Sequence, residues 1–179
     1  MFDSAERASI LRLARQAIVL YLETRREMEA PDTPPFSIVS GAFVTLKRDD
    51  ELRGCIGYTE TREALGATIV RCAIAAATRD ARFPQVRLEE MEKMRIEVSV
   101  LSPRFVVSDV SQIEVGVHGL FLTYGPYRGL LLPQVPVEHQ WDRETFLRQT
   151  SRKAGLPPDG WTLPGVQIDA FTAEVFGED

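Results

Sequence analysis

The residues best suited to chemistry lie in one short segment, Leu-Arg-Gly-Cys-Ile-Gly at positions 52–57. Cys55 stands between Gly54 and Gly57 and two positions after Arg53. The glycines let a strand bend or let another group approach its backbone closely. A nearby guanidinium stabilises a thiolate, the form that a nucleophilic or redox cysteine needs. Two interpretations remain open, an activated thiol and a buried small apolar side chain.

Two histidines are the candidate general bases for Cys55, because imidazole has an ordinary pKa near neutrality. His118 is followed by Gly119 and could reach an open groove, whereas His139 lies two positions before Trp141. The sequence fixes neither histidine near Cys55. A surface or core role is the alternative for each.

Gln134 and Glu138 are candidate ligand-binding residues, since both lie in the largely apolar run 130–138. Polar groups in such surroundings need hydrogen-bond partners. They either cap backbone groups or line a cleft together with Cys55. The segment Arg82-Phe83-Pro84, which follows Asp80 closely, predicts a fixed loop with a structural role.

The spacing of apolar residues predicts the elements that position these side chains. Predicted helices cover 4–28, 62–79 and 142–153, and predicted strands cover 41–47, 51–58, 95–101, parts of 113–132, and 168–176. The first two strands form a hairpin. Because strands and helices do not alternate as regular βαβ units, the pattern predicts an α+β fold with largely antiparallel sheets flanked by helices.

The composition limits the classes of function. A net charge of −5 over 179 residues argues against binding nucleic acid through bulk electrostatics, although a local basic patch remains open. The two cysteines lack zinc-site spacing, so we expect no metal site and two free thiols. The chain shows neither a signal peptide nor an apolar run long enough to span a bilayer, which predicts a cytoplasmic protein without a membrane association.

Seven segments in a fixed order carry a resemblance to a known family. They are Gly41–Leu46, Leu52–Gly57, Arg79–Pro84, Glu97–Ser102, Leu131–Gln134, Trp141-Asp142 and Lys153–Pro157. With these segments the sequence resembles the AMMECR domain family, protein A of the AmmeMemoRadiSam group, across nearly the entire chain. The family's Leu-Arg-Gly-Cys-Ile-Gly hexamer is complete here. In its aspartate-proline-arginine-phenylalanine loop Ala81 replaces the proline, a change that concerns loop stiffness.

The resemblance implies an architecture and partners. The chain 1–179 is expected to form a single AMMECR-type domain of two intertwined subdomains with a cleft between them. The larger lobe comes from both chain ends, the smaller lobe comes from the middle, and the hexamer lies near the cleft. The resemblance also implies Memo-type and radical SAM proteins as partners. The cofactor, if one is used, stays unknown.

Two functions from different classes follow, and whether the protein is an enzyme stays open. In the first, it is an enzyme or enzyme component in which Cys55 is a nucleophile or an acyl or one-carbon acceptor, supported by Arg53. His118 is then the base, and Gln134 or Glu138 positions a ligand.

In the second, the protein is a non-catalytic adaptor that binds a protein or peptide in the inter-lobe groove. Gly54 and Gly57 then shape the backbone, with Cys55 packed beneath the groove. Nucleic-acid binding is a third alternative, which the negative charge disfavours.

Overall fold

The structure, a computed structural model, describes residues 1–59 and 61–178 as a mixture of helices and antiparallel strands. The helices are α1 Ser4–Thr24, α2 Leu65–Thr78, α3 Gln134–Glu138 and α4 Arg143–Lys153. The strands are β1 Ala42–Arg48, β2 Glu51–Tyr58, β3 Met94–Leu101, β4 Phe105–Val106, β5 His118–Tyr124, β6 Tyr127–Leu131 and β7 Gln167–Gly177. Short 3₁₀ helices cover Leu88–Lys93, Val110–Gln112 and Pro158–Thr162. The predicted α+β fold is confirmed.

The first helix shows how local sequence sets the element bounds. Asp3 is its N-cap and exchanges hydrogen bonds with Glu6 in a capping box. The helix ends at Thr24, four residues before its predicted end, because Arg25 takes a left-handed conformation with φ of 61°. The N–H of Arg25 then caps the carbonyl of Tyr21. The prediction of the helix was correct and the prediction of its end was wrong.

Five short elements were not predicted from the sequence: β4, α3 and the three 3₁₀ helices Leu88–Lys93, Val110–Gln112 and Pro158–Thr162. α3 is five residues long and carries Pro136 in its interior. So short a segment shows too few residues for a helical period to be recognised, and helices of this length depend on tertiary contacts.

The chain divides into two compact units, Met1–Leu101 with the residues from Glu174 onward, and Ser102–Ala173. In the first unit the strand order is β2-β1-β3, followed by the C-terminal end of β7. In the second unit β7 pairs with β5 on one side and with β4 on the other, and β6 pairs with β5. Each unit has its own cluster of buried apolar residues.

In the first unit, α2 packs closely on the sheet that carries the hexamer. Side chains of β1 alternate between buried and partly exposed, with Val44 and Leu46 buried. The alanine-rich stretch of α2 is buried, as its composition predicts. A Cβ atom at Gly54 would collide with the backbone carbonyl oxygen of Ala76. Gly54 is therefore required by the close approach of the helix backbone.

Replacing Gly54 with alanine tests this close approach. We expect Gly54→Ala to lower the free energy of unfolding by about 1–3 kcal/mol, the usual cost of overpacking, because a backbone carbonyl cannot rotate away. Urea denaturation measures the change. Gly177→Ala is the matched control, since a Cβ there meets its nearest atom at an ordinary 3.4 Å. Equal stability changes in the two variants would contradict the account.

Candidate functional site

Cys55 lies on the face of the sheet opposite to α2. In β2 its neighbour Gly54 faces the helix, so the alternation of strand side chains directs the Cys55 thiol to the other face. Cys55 pairs across the strands with Thr45 of β1. The Thr45 hydroxyl donates to the thiol sulfur at 3.2 Å. The thiol is half-buried and has one fixed polar neighbour.

The backbone of Cys55 is held from the outer edge of the sheet. β2 is an edge strand, so half of its backbone N–H and C=O groups have no strand to pair with. At Cys55 the N–H donates to Asp80 Oδ2 at 2.9 Å. Arg82 Nη2 donates to the Cys55 carbonyl oxygen at 3.4 Å. We refer to Asp80 and Arg82 together as the Asp80–Arg82 clamp, because they occupy the place of a neighbouring strand at this residue.

The clamp is an ion pair with a buried carboxylate. Asp80 is 7% exposed. Its Oδ1 accepts from the backbone N–H and Nε of Arg82 at 3.1 and 2.9 Å, and its Oδ2 accepts from Nη2 at 2.7 Å. These bonds to the guanidinium hold the pKa of the Asp80 carboxyl well below its usual range, and they outweigh the opposing effect of burial. The Cys55 N–H acts in the same direction.

The Arg53 guanidinium is hydrogen-bonded to Glu90 and Pro84, and its predicted support of the Cys55 thiol stays a prediction. Its Nε and Nη2 each lie 3.2 Å from the Glu90 carboxylate, and its Nη1 donates to the carbonyl of Pro84 at 2.9 Å. Arg53 therefore connects β2 to the loop that contains Pro84 and to the 3₁₀ helix Leu88–Lys93, which contains Glu90. The guanidinium that contacts Cys55 belongs to Arg82, which the sequence analysis placed in a structural loop.

Gly57 and Cys72 complete the surroundings of the hexamer. Gly57 pairs with Phe43 across the strands, and a Cβ at Gly57 would collide with the Phe43 ring. Cys72 lies in α2, fully buried, with its sulfur 3.5 Å from the carbonyl oxygen of Ala42. Burial raises the pKa of the Cys72 thiol to about 12. Both cysteines are free thiols.

His118 belongs to the second unit, at the start of β5. Its Nδ1 accepts from the backbone N–H of Glu114 at 3.0 Å, and its ring meets Phe105 edge-on at 5.4 Å between centroids. In the neutral imidazole this contact assigns the proton to Nε2. His139 is exposed and stacks on Trp141 at 4.7 Å.

Gln134 and Glu138 also belong to the second unit, at the two ends of α3. Glu138 is exposed. Gln134 Oε1 is buried and has no hydrogen-bond partner within residues 1–59 and 61–178. The structure thus brings Arg53, Gly54, Cys55 and Gly57 together in the first unit. The roles of His118, Gln134 and Glu138 at a common site stay predictions.

Residues 1–59 and 61–178 contain neither a candidate metal site nor a helix that could cross a membrane. In that part of the chain no three His, Cys, Asp or Glu side chains converge in a geometry that could hold a metal ion. None of its helices combines the length and the apolar character that crossing a bilayer requires.

The fold and site define a class of two-unit α+β proteins with a half-exposed cysteine held at the edge of an antiparallel sheet. A family model described as AMMECR1 matches residues 11–176, and the chain belongs to the AMMECR1 family. The predicted resemblance is confirmed.

Individual relatives agree with this assignment. The chain is 49% identical to protein MK0488 of Methanopyrus kandleri over 180 residues, which cover 95% of this chain and 87% of that protein. It is 46% identical to protein PH0010 of Pyrococcus horikoshii over 182 residues, covering 95% and 88%. The crystal structure of the uncharacterized protein PH0010 matches with a TM-score of 0.91 at 44% identity, covering 99% of this chain and 94% of that one.

The charge on Asp80 predicts a pH-dependent stability. We expect Asp80→Asn to lower the free energy of unfolding at pH 7 by about 1.5–3 kcal/mol, the usual contribution of hydrogen bonds to a charged group. A depressed folded-state pKa stabilises the protein above the unfolded pKa of about 3.9, and this stabilisation is lost as the pH falls below it. The difference between wild type and variant should therefore shrink below about pH 4.

Urea denaturation at a series of pH values measures this difference. Asp32→Asn is the control, because it removes the charge of an exposed aspartate in the same unit. An equal loss in the control, or a difference for Asp80→Asn that does not change with pH, would contradict the assigned role of the clamp.

Proposed function

We propose that the protein is an enzyme or enzyme component that uses the Cys55 thiol as a nucleophile towards an electrophilic carbon. The contrast between its two cysteines supports the proposal. Cys72 is buried, and burial opposes its ionisation. Cys55 is half-exposed on a backbone fixed at both its N–H and its C=O. Functional side chains need such rigid support, whereas a cysteine that only fills space does not.

The surroundings of the thiol fit nucleophilic attack. The Thr45 hydroxyl donates to the sulfur at 3.2 Å and gives the thiol a fixed polar neighbour. In the proposed step the S–H proton leaves to a base, and the sulfur forms a bond to the acyl or one-carbon group. The bond from that carbon to its leaving group breaks, and the leaving group takes the bonding electrons and then a proton.

Residues of the second unit and partner proteins belong to the same proposal. His118 is the proposed base, and Gln134 and Glu138 are the proposed ligand contacts. Gln134 Oε1 is buried without a hydrogen-bond partner in the described part of the chain, which supports a ligand contact, since buried polar atoms ordinarily have partners. Memo-type and radical SAM proteins are the proposed partners, as the resemblance of the sequence implies.

Selective labelling of the native protein tests the proposal. We expect iodoacetamide to alkylate Cys55 while Cys72 stays unmodified until the protein unfolds, because only the thiolate reacts and Cys72 is inaccessible. Mass spectrometry of tryptic peptides locates the label, and the rate is measured from pH 6 to pH 10. Cys72→Ala should leave the rate unchanged, and Cys55→Ser should abolish labelling.

Two results would count against a nucleophilic role. One is an absence of labelling at Cys55 in the native protein. The other is a rate of Cys55 alkylation that equals the rate of a free thiol under the same conditions and that Thr45→Val leaves unchanged. In either case the adaptor hypothesis becomes the better account. A binding test of that hypothesis with a bulky residue at Gly57 must include a stability control, because such a residue displaces Phe43.

A further inference from the structure

The guanidinium groups of Arg53 and Arg82 both contribute to the surroundings of the hexamer. They differ in how many of their nitrogens are hydrogen-bonded. All three nitrogens of Arg53 are engaged by Glu90 and Pro84. Arg82 uses Nε and Nη2 for the Asp80 carboxylate, and Nη2 also reaches the Cys55 carbonyl. Its Nη1 has no hydrogen-bond partner in the described part of the chain. Arg82 thus has a second terminal nitrogen, Nη1, with two N–H donors, on a guanidinium that reaches the Cys55 carbonyl oxygen.

The orientation of this guanidinium is fixed and its surface is open. Asp80, which is 7% exposed, holds the Nε and Nη2 edge of Arg82 in a bidentate contact. The Arg82 side chain itself is 58% exposed. A planar guanidinium held along one edge keeps its remaining donors in a defined direction, so an incoming anion meets prearranged N–H groups. The loss of side-chain entropy on binding is correspondingly small.

Two neighbouring cations on the thiol face of the sheet are paired with carboxylates. Arg95, opposite Lys47 in the β1–β3 register, lies 3.3 Å from Asp50. Lys47 pairs with Glu97 at 2.9 Å, so this lysine is already neutralised. Glu97 in turn lies opposite Thr45 in the β1–β3 register, on the side of Thr45 away from Cys55. The charge next to the Cys55 carbonyl is therefore the Asp80–Arg82 clamp, of which only Arg82 is exposed.

We infer that Arg82 is a specificity-determining residue, and that the substrate of the Cys55 site carries a carboxylate or another small anionic group beside its electrophilic carbon. The inference rests on the proposed function of Cys55. Arg82 Nη1 binds the anionic group while the thiol attacks the neighbouring carbon. Asp80 is a positioning residue in this arrangement, because it acts on the substrate only through Arg82.

A pair of alkylating reagents that differ in charge tests the inference. Iodoacetate and iodoacetamide both react by forming a C–S bond as the C–I bond breaks, with loss of iodide and of the thiol proton. Only iodoacetate carries a carboxylate next to the reacting carbon. For Cys55 we expect the ratio of the iodoacetate rate to the iodoacetamide rate to exceed that of N-acetylcysteine amide by about fivefold, the size expected for one exposed ion pair.

Variants assign the effect to Arg82. Arg82→Gln should return the ratio to that of the free thiol, and Arg82→Lys should restore it in part, because lysine keeps the charge without the planar fork. Arg87→Gln is the matched control. It removes the same charge from an 80% exposed arginine that lies 3.9 Å from Glu90, so it should leave the ratio unchanged.

A second measurement needs no variant. Acetate or inorganic phosphate, added to the wild-type protein at constant ionic strength, should slow alkylation by iodoacetate more than alkylation by iodoacetamide. Two outcomes would overturn the proposed anion site but not the proposed function of Cys55. One is a ratio of the iodoacetate rate to the iodoacetamide rate equal to or below that of the free thiol, and the other is an equal effect of Arg82→Gln and Arg87→Gln on this ratio. Failure of both reagents to modify Cys55 would overturn the proposed function together with the anion site.

Discussion

The hydrogen bond from the Cys55 N–H to the buried Asp80 carboxylate is the constraint on which the candidate site depends. An edge strand has backbone groups that must find partners outside the sheet. Here the Asp80 carboxylate accepts from the Cys55 N–H and Arg82 donates to the Cys55 carbonyl oxygen, so both outward-facing backbone groups of this residue have partners. The ion pair with Arg82 compensates for the buried charge of Asp80, since an unpaired buried carboxylate has a large unfavourable desolvation free energy.

The same constraint gives the two signature segments of the sequence a shared physical role. The loop after α2 provides Asp80, Arg82 and the carbonyl of Pro84, and the hexamer provides the Cys55 backbone and the Arg53 guanidinium. Gly54 lets α2 approach from the opposite face. The clamp at the strand edge, Thr45 on the neighbouring strand and the close packing of α2 on Gly54 therefore hold this part of β2 in place. The Cys55 thiol remains half-buried, with the Thr45 hydroxyl 3.2 Å from its sulfur.

The longer helices and strands could be predicted from the sequence, whereas the contacts around Cys55 could not. Long periodic segments predicted α1, α4 and the β1–β2 hairpin, because each shows several repeats of its period. The hexamer was correctly placed on a strand. The pairing of Arg82, and not Arg53, with Cys55 could not be predicted, since it depends on where a loop between 79 and 87 folds back onto β2. The aspartate and arginine two positions apart just after α2 are the available signal, and only the fold shows what they bind.

The account is tested most directly by amide hydrogen exchange at Cys55, followed by NMR in wild type and in Asp80→Ala. In the wild-type protein the Cys55 amide should exchange as slowly as that of Ile56, whose N–H alternates to the β1 side of the strand. In Asp80→Ala the Cys55 amide should exchange at least about tenfold faster relative to Ile56, because the carboxylate that accepts its hydrogen bond is gone. Rapid exchange of Cys55 in the wild type, or an unchanged ratio in the variant, would contradict the account.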